Sequence, residues 1–291
     1  MTRSAAEADW LYYRLHATTM RQLDAMVDQV VRPAVDRLCR EEPAGTWFFL
    51  RYLDGSGLHL RLRLNASERA LAAVEAFLGG LLADLFARRL DTPVLGLRDG
   101  SPELGRRGVT QHVYEPEFDK WGGPEGVALA EAVFRESSEL VLSAFAQREP
   151  GWSRLACATA VTARSIQLLG EPSRAGFLHH YAWYWYGRVP LRDSTTAATA
   201  RAAARRSGGR LLAAATAVDT SFADPYLRAL SRALSAHGNL AERRLPAHLL
   251  FHHIHLTNNR LGVTSREEAV IAEALRFGLI GTHSALRTGG S

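Results

Sequence analysis

The stretch LHLRLRL, residues 58–64, places three basic side chains on one face of a predicted strand. His59, Arg61 and Arg63 alternate with leucines, and successive residues of a strand point to opposite faces. Two guanidinium groups about 7 Å apart along the strand could hold a carboxylate, and a neighbouring histidine could transfer a proton. The residues also fit an ordinary half-buried strand with a solvated face. Both interpretations stay open at this level.

The segment YEPEFDKWGG, residues 114–123, is a second candidate for chemistry. It contains Tyr114 and, beside a double glycine, a group of acids and a lysine that includes Glu117 and Lys120. Such groups could supply general acid–base catalysis. A surface turn with paired charges would have the same composition.

The segment HLLFHHIHLTNNRLG, residues 248–262, is a third candidate. His252 and His255 are three residues apart and Asn259 follows four later, so the three share one face of a helix. Arg260 comes next, just before a glycine. No carboxylate falls in register nearby, which excludes a zinc site in this segment. A histidine on an apolar helix is more often a core residue than a catalyst.

The elements that must position these residues are strands first and helices later. Strands are predicted at 9–17, on both sides of the turn 54–57, and at 109–114. A helix at 18–42, bent at Pro33, and an amphipathic helix capped by Asn65 or Ser67 lie between them, and 91–108 is predicted to be a loop.

After the double glycine the pattern becomes helical and rich in alanine. We therefore expect an α+β fold, with an antiparallel or mixed sheet and a helix-rich second half, in one domain over 1–291. The run ARAAARRSGGR, residues 200–210, has helical spacing that ends at Gly208-Gly209 and predicts a solvated helix face or a mobile loop, although its charge would also suit an acidic peptide partner. HHYAWYWYGR, residues 179–188, holds five aromatic residues, a pattern typical of a core and also of peptide-binding grooves.

Composition narrows the class of protein. The chain has 291 residues, 47% of them hydrophobic, and a net charge of +5. Its arginines are not striped with aromatic residues, which argues against a nucleic-acid partner. No targeting segment or membrane-length apolar run is present, so we expect a cytoplasmic protein without a membrane partner. Cys39 and Cys157 are too few for a disulfide framework and are predicted to be buried thiols.

Four segments together resemble the C-terminal domain family of lantibiotic dehydratases, whose standalone members occur in thiopeptide biosynthesis. In chain order they are WLYYRLHA, WFFLRYLDGSGLHLRLRL, YEPEFDKWGG and HLTNNRLG. The resemblance spans nearly the whole chain. It implies an enzyme, a lyase or cyclase, that acts on a ribosomally made precursor peptide.

The resemblance also implies roles for individual residues. In family members that eliminate glutamate, three features are implicated in the elimination. They are the hairpin arginines, a Glu-x-x-Arg before Tyr-Gly-Gly, and a histidine before Asn-Arg. The matching positions here are Arg61 and Arg63 for substrate binding, with His59 beside them, and Glu117, Tyr114 and His255 for catalysis. Lys120, Asn259 and Arg260 complete the expected substrate contacts. We expect the hairpin arginines and His255 to face one cavity.

One departure from the family pattern decides the predicted reaction. Lys120 stands where an eliminating member has arginine, and lysine lacks the planar fork that grips a carboxylate. We therefore predict a pyridine synthase, which joins two dehydroalanines in a formal aza-cycloaddition and then loses water and the leader peptide. The alternatives are a glutamate-eliminating lyase and a leader-binding partner without catalysis. No metal or organic cofactor is required. The expected partner is a precursor peptide with an acidic leader, and other thiopeptide biosynthesis enzymes could be further partners.

Overall fold

The computed structural model describes residues 10–87, 108–187, 194–240 and 245–288. The chain forms two compact units, one ending at Glu117 and the other beginning at Phe118. The sheet belongs to the first unit and the second unit is helical, so the predicted α+β class is confirmed. The boundary falls a few residues before the double glycine at which the sequence changes character. The extent of a single domain over 1–291 stays a prediction.

The sheet has four antiparallel strands in the order β2-β3-β1-β4. Their bounds are β1 Trp10–His16, β2 Thr46–Asp54, β3 Gly57–Asn65 and β4 Val109–His112. All four strands were predicted, although β4 ends two residues before Tyr114. The predicted loop 91–108 lies outside the described residues, except for Gly108.

A two-residue loop joins β2 to β3, as the Asp-Gly-Ser-Gly sequence predicted. Oδ1 of Asp54 accepts hydrogen bonds from the backbone N–H of Ser56 at 2.8 Å and from its hydroxyl at 2.6 Å. Gly57 has a φ of +97°, a conformation that other residues rarely adopt. These local contacts fix the register of the hairpin, and with it the face on which His59, Arg61 and Arg63 lie.

The helices of this unit include α1 Met20–Met26, α2 Arg32–Glu41 and α3 Glu68–Ala87. Helices α1 and α3 contact the leucine face of the sheet, and α2 packs against α3. Arg51, on the leucine side of β2, forms an ion pair of 2.8 Å with Asp24 of α1. Tyr13, on the same side of β1, donates a hydrogen bond of 2.9 Å to Glu75 of α3. The side chains of His59, Arg61 and Arg63 therefore project from the opposite face.

The predicted helix at 18–42 is present and contains a π-helical turn just before Pro33, while its bend stays a prediction. Thr19 caps α1 by accepting a hydrogen bond from the N–H of Gln22. The segment Val27–Val31 is a single π-helical turn, and Pro33 follows it in the first turn of α2. A proline has no N–H for the helical ladder, and a π turn is a common way to absorb that loss.

The second unit consists of helices and one short 3₁₀ turn in its described part, and no helix among the described residues is long and apolar enough to cross a membrane. The bounds are α4 Phe118–Trp121, α5 Gly123–Ala146, α6 Arg154–Ile166, α7 Glu171–Gly187, α8 Ser194–Thr216, the 3₁₀ turn Ser221–Ala223, α9 Asp224–His237, α10 Pro246–Leu261 and α11 Ser265–Thr288.

The prediction that a helix ends at Gly208-Gly209 is wrong, because α8 continues to Thr216. A Cβ at position 208 would lie 3.3 Å from the Cβ of Ala274 in α11. Gly208 therefore serves the close approach of two helices and not a chain break. The prediction of buried thiols holds for Cys157, whereas Cys39 is half-buried.

Gly126 permits the tight turn between α4 and α5. A Cβ at this position would lie 1.7 Å from the carbonyl oxygen of Trp121. We expect Gly126→Ala to lower the free energy of unfolding by about 1–3 kcal/mol, because backbone must move to make room. The measurement is urea unfolding followed by circular dichroism.

The matched control is Gly209→Ala in α8. Nothing lies within 4 Å of a Cβ built there, so alanine should raise helix stability by about 0.5–1 kcal/mol. Equal effects of the two substitutions would show that the turn at Trp121 is loosely packed.

Candidate functional site

The basic residues of β3 share one face of the sheet with residues of the neighbouring strands. Residues directly opposite each other in antiparallel strands lie on the same face. The register places His59 between His16 and Tyr52, and Arg61 between Arg14 and Leu50. Arg63 lies between Tyr12 and Phe48 in the same way. Apart from Leu50, these residues are basic or aromatic.

Arg61 and His59 both lie close to the carboxylate of Asp54. Nη2 of Arg61 lies 3.1 Å from Oδ2 of Asp54, and its guanidinium carbon lies 3.4 Å from the ring centroid of Tyr52. Nε of Arg61 donates to Nε2 of His59 at 3.2 Å. Arg61 therefore already has an acidic partner within the sheet.

The protonation state of His59 follows from its two partners. Its Nδ1 lies 2.9 Å from the carbonyl oxygen of Gly57, which can only accept, so Nδ1 carries the proton. Its Nε2 accepts from Arg61. Burial lowers the pKa of His59 to about 4. His59 is thus neutral at pH 7, fully buried and engaged at both nitrogens.

Asp54 supplies the negative charge of this face. Burial acts to raise the pKa of its carboxyl group, but the hydrogen bonds from Ser56 outweigh burial, and Arg14 adds a nearby positive charge. The resulting pKa is about 2. Arg14 Nη1 lies 3.8 Å from Oδ2 of the same carboxylate. Asp54 therefore stays ionised and holds Arg14 and Arg61 together.

Arg63 has a different environment. Its guanidinium carbon lies 4.6 Å from the ring centroid of Tyr12, 5.2 Å from that of Phe48 and 4.7 Å from that of Tyr114. Its side chain is buried, burial lowers its pKa, and no carboxylate of the described residues lies within ion-pair distance. The aromatic faces stabilise this cation, which makes Arg63 the candidate anion ligand of the sheet.

Tyr114 joins this aromatic group, whereas Glu117 stands apart from it. The ring of Tyr114 packs edge-on against Trp10, with centroids 4.8 Å apart. Glu117 is exposed at the end of the first unit. The sheet unit thus brings Tyr114 and Arg63 together, with Arg61 and His59 farther along the same strand.

In the helical unit, His255 pairs with a buried carboxylate. Its Nδ1 lies 2.9 Å from Oε1 of Glu268, whose side chain has an exposed fraction of 0%. Tyr181 donates its hydroxyl proton to Oε2 of Glu268, and Nδ2 of Asn258 lies 3.4 Å from the same oxygen. Burial, followed by the charge of Glu268, raises the pKa of Tyr181 well above its usual value, so Tyr181 remains a donor.

This arrangement fixes the tautomer of His255. A carboxylate accepts hydrogen bonds, so the proton of the neutral imidazole lies on Nδ1 and Nε2 keeps its lone pair. No described residue occupies Nε2, and the side chain of His255 is 27% exposed. His255 therefore has the form of a general base whose imidazole is oriented by a carboxylate, that of Glu268.

Lys120 lies at the start of the same unit, beside Trp121 and His252. Its Nζ lies 5.3 Å from the ring centroid of Trp121, which is buried. Burial, followed by the charge of Lys120, lowers the pKa of His252 to about 3. His252 and His255 are both half-buried and share a face, as their spacing predicted, while the intervening His253 is buried.

Arg260 and Asn259 make contacts within the helical unit. Arg260 is fully buried, and its Nε and Nη1 donate to the hydroxyls of Ser138 at 3.1 Å and Ser137 at 3.3 Å. The backbone carbonyl of Asn259 accepts from Gly262, which ends α10. Their assignment as substrate ligands stays a prediction, and the side chain of Arg260 holds α10, the helix that carries His255, against α5.

Sequence reasoning missed three residues of the His255 network: Glu268, Tyr181 and Asn258. Glu268 follows His255 by thirteen residues on another helix, so no helical spacing links them. Tyr181 lies in an aromatic run that gave no indication of a carboxylate partner. The hairpin residues belong to one unit and His255 to the other, and their meeting in one site stays a prediction. Among the described residues, no group of His, Cys, Asp or Glu could hold a metal ion.

Comparison with known proteins identifies the family. Residues 10–277 match the family described as "Lantibiotic biosynthesis dehydratase C-term". This chain belongs to that family. It is also 26% identical over 133 residues to the nisin biosynthesis protein NisB of Lactococcus lactis subsp. lactis. That match covers 46% of this chain and 11% of NisB.

Solved structures share the fold at low sequence identity. The tRNA-dependent lantibiotic dehydratase MibB from Microbispora sp. 107891 has a TM-score of 0.63 and 21% identity, over 99% of this chain and 29% of MibB. The pyridine synthase TbtD from thiomuracin biosynthesis has a TM-score of 0.65 and 19% identity, over 92% of this chain and 96% of TbtD. The family resemblance deduced from the four sequence segments is confirmed.

The neutral histidines predict how stability depends on pH. His59 and His252, with pKa values of about 4 and about 3, bind a proton in the unfolded chain near pH 6.5 but not in the folded chain. Stability is therefore full above about pH 6.5 and falls as pH decreases toward 4, by up to about 1.4 kcal/mol per pH unit for each histidine. We expect His252→Asn to make the pH dependence of the free energy of unfolding shallower.

The control is His179→Asn on the exposed side of α7, which should keep the wild-type slope. Denaturant titrations at several pH values measure both. A wild-type slope in His252→Asn would mean that position 252 is open to water in the folded protein.

Proposed function

We propose that this chain is an enzyme that modifies a ribosomally made precursor peptide by joining two dehydroalanines into a pyridine ring. Membership of the lantibiotic dehydratase family supports a peptide-modifying role. The observation that carries the proposal is the His255–Glu268 pair with its accessible Nε2. A cyclisation of this kind needs one group that both accepts and returns a proton.

His255 would act first on a peptide amide. Its Nε2 takes the proton from the amide nitrogen and returns it to the amide oxygen, which gives the imidic acid. Glu268 stabilises the imidazolium that exists between these two transfers. The imidic acid and its neighbouring double bond form the diene for the next step.

The second dehydroalanine then adds to this diene. Two carbon–carbon bonds form without oxidation or reduction, because the nitrogen is an internal atom of the diene and both of its ends are carbon. Holding the two partners in contact is worth about 7–11 kcal/mol of the barrier. His255, neutral again after the first step, then takes a proton from a ring carbon and passes it to the leaving hydroxyl, so that water departs. A ring proton passes to the leader amide as it leaves, and the ring becomes aromatic.

The hairpin and Lys120 favour cyclisation over glutamate elimination. Arg61 already holds Asp54, so a bidentate grip on an incoming glutamate would have to displace this carboxylate. Lys120 offers a point charge and not a planar fork. In this proposal the hairpin face binds the peptide, and Tyr114 and Glu117 serve as further proton donors and acceptors.

Glutamate elimination is the second candidate, and Arg63 favours it. A buried guanidinium without a carboxylate among the described residues suits the carboxylate of a glutamyl ester. His255 would then remove the α-proton of the glutamylated residue, and glutamate would leave as the double bond forms. The same Nε2 would act as base in both reactions.

The partner in either case is a peptide with an acidic leader. The net charge of +5 favours noncovalent binding of such a leader. Its affinity should fall as salt rises, because attraction between exposed charges is screened over about 8 Å at physiological ionic strength. Leader binding would position the core peptide at the reacting groups. Other enzymes of the pathway would share this peptide.

Mass spectrometry of two synthetic precursors tests the proposal. One carries a leader and two dehydroalanines, and the other carries a leader and a glutamylated serine. We expect the purified full chain to convert the first, with loss of water and release of the leader as an amide. Loss of glutamate from the second, with the first unchanged, would establish elimination. If both stay unchanged while the labelled leader binds, the protein is a delivery partner.

Glu268→Gln tests the acid–base pair. We expect kcat to fall about 10- to 100-fold with KM unchanged, since glutamine keeps the volume but cannot stabilise the imidazolium. His255→Ala should lower kcat about 10²- to 10⁴-fold. The acidic limb of the pH profile of kcat should move to lower pH in Glu268→Gln, because imidazolium without its anion forms less readily.

Glu267→Gln is the matched control. Glu267 accepts from the N–H and hydroxyl of Thr264 at the start of α11, and glutamine can cap a helix in the same way. It should keep wild-type kcat and pH profile. Circular dichroism of all variants verifies folding, and an unshifted pH profile in Glu268→Gln would assign Glu268 a structural role.

A further inference from the structure

His252 is a titratable group on α10 that the proposed reaction leaves without a role. It precedes His255 by three residues, so the Cβ atoms of the two lie about 5–6 Å apart on one side of the helix. Both side chains are half-buried, whereas that of the intervening His253 is buried. Two imidazoles at this spacing can contact neighbouring atoms of one peptide group.

Ring packing holds the imidazole of His252. Its centroid lies 4.5 Å from that of His248 and 6.0 Å from that of Trp121, in both cases edge to face, and 5.5 Å from that of Phe251. Nζ of Lys120 lies over the same Trp121 ring, 5.3 Å from its centroid. No residue in the described part of the chain hydrogen-bonds to either ring nitrogen of His252. The ring is therefore positioned by ring contacts, and its polar atoms are left for a ligand or water.

The imidazole of His252 is neutral at pH 7 and keeps one N–H. Burial, followed by the charges of Lys120, His248 and His255, lowers its pKa to about 3. A ring with so low a pKa takes no proton from a peptide, and its single N–H remains a hydrogen-bond donor. A neutral donor fixed beside the reacting group stabilises a developing negative charge without first having to reorient, as water must.

Removal of a proton by His255 places negative charge on a carbonyl oxygen of the substrate. In the cyclisation, the amide nitrogen loses its proton and the charge of the resulting imidate spreads to the former carbonyl oxygen. In the elimination, the α-carbon loses its proton and the charge moves to the oxygen of the adjacent carbonyl. Each reaction therefore gains from a hydrogen-bond donor at this oxygen, close to the atom that gives its proton to His255.

We propose that His252 is a catalytic residue that donates a hydrogen bond to this carbonyl oxygen while His255 holds the proton. The inference rests on the proposed function and adds an oxyanion donor that serves both candidate reactions. The proton removed from the substrate goes to Nε2 of His255, and His252 keeps its own proton throughout. Lys120, which lies against the same tryptophan as His252, adds positive charge nearby.

Two substitutions separate the N–H of His252 from its ring. His252→Phe keeps an aromatic ring and removes the donor, and His252→Gln removes the ring and keeps an N–H donor. We expect His252→Phe to lower kcat about 10²- to 10³-fold with KM little changed, as for other oxyanion donors. His252→Gln should restore most of this loss. The measurement uses whichever of the two synthetic precursors the wild type converts.

An anionic peptide tests the donor without turnover. The probe is N-acetyl-glycyl-alanyl methanesulfonamide, which is ionised at neutral pH and shares its charge between nitrogen and oxygen as an imidate does. Its neutral counterpart is N-acetyl-glycyl-alanine methylamide. The full chain carries ¹⁵N-histidine, and NMR follows the imidazole signals of His252, assigned from their loss in His252→Gln. We expect the anionic probe to shift these signals and to bind about tenfold more tightly than the neutral one.

Variants assign this preference to the donor. His252→Phe keeps Lys120 and should lose the preference, followed by the His255 signals, whereas His252→Gln should keep it. The control is His179→Phe, the same substitution on the exposed side of α7, which should keep kcat and both affinities. Circular dichroism verifies folding, and His252→Leu repeats the measurements if the phenylalanine variant is misfolded.

The outcomes separate this inference from the proposed reaction. Unchanged kcat in folded His252→Phe, an equal loss in His252→Gln, or equal affinity of the wild type for the two probes would overturn the role of His252. An anion preference that persists in His252→Phe would assign it to charge alone and would also overturn that role. A preference that depends on His252, with neither precursor converted, would leave the oxyanion donor standing and refute the reaction.

Discussion

A single buried carboxylate determines the geometry of the helical unit around His255. Glu268 is inaccessible to solvent, and a buried charge is expensive unless hydrogen-bond donors surround it. Donors come from Tyr181 on α7 and from Asn258 and His255 on α10. Three helices are thereby held in one mutual arrangement. The orientation of the imidazole and the position of the neighbouring aromatic rings both follow from this arrangement.

Two histidines show that surroundings and not residue type decide chemical capacity. His59 uses both ring nitrogens inside the sheet unit, one toward Gly57 and one toward Arg61. His255 uses one nitrogen toward Glu268 and presents the other. His59 is held in place by hydrogen bonds within the face of the sheet. His255 is equipped for proton transfer, although the sequence patterns around the two histidines suggested chemistry equally well.

The predictable parts of this structure are those set by local sequence. The hairpin was predictable because Asp54 and Gly57 satisfy the turn within four residues, and alternation in β3 assigned its faces correctly. The shared face of His252 and His255 followed from helical spacing. Glu268 was not predictable, because its partnership with His255 depends on how α10 packs against α11. The continuation of α8 through Gly208 likewise depends on a distant residue, Ala274.

Two backbone contacts hold the segment around Lys120. The carbonyl oxygen of Trp121 lies 3.0 Å from Nε2 of His237, and the absence of a side chain at Gly126 leaves room for it. Neither contact involves the side chain of residue 120. A substitution of arginine for Lys120 leaves the residues that make these two contacts unchanged. If the cation at position 120 selects the reaction, as proposed, the reaction type can change through a substitution that leaves this backbone in place.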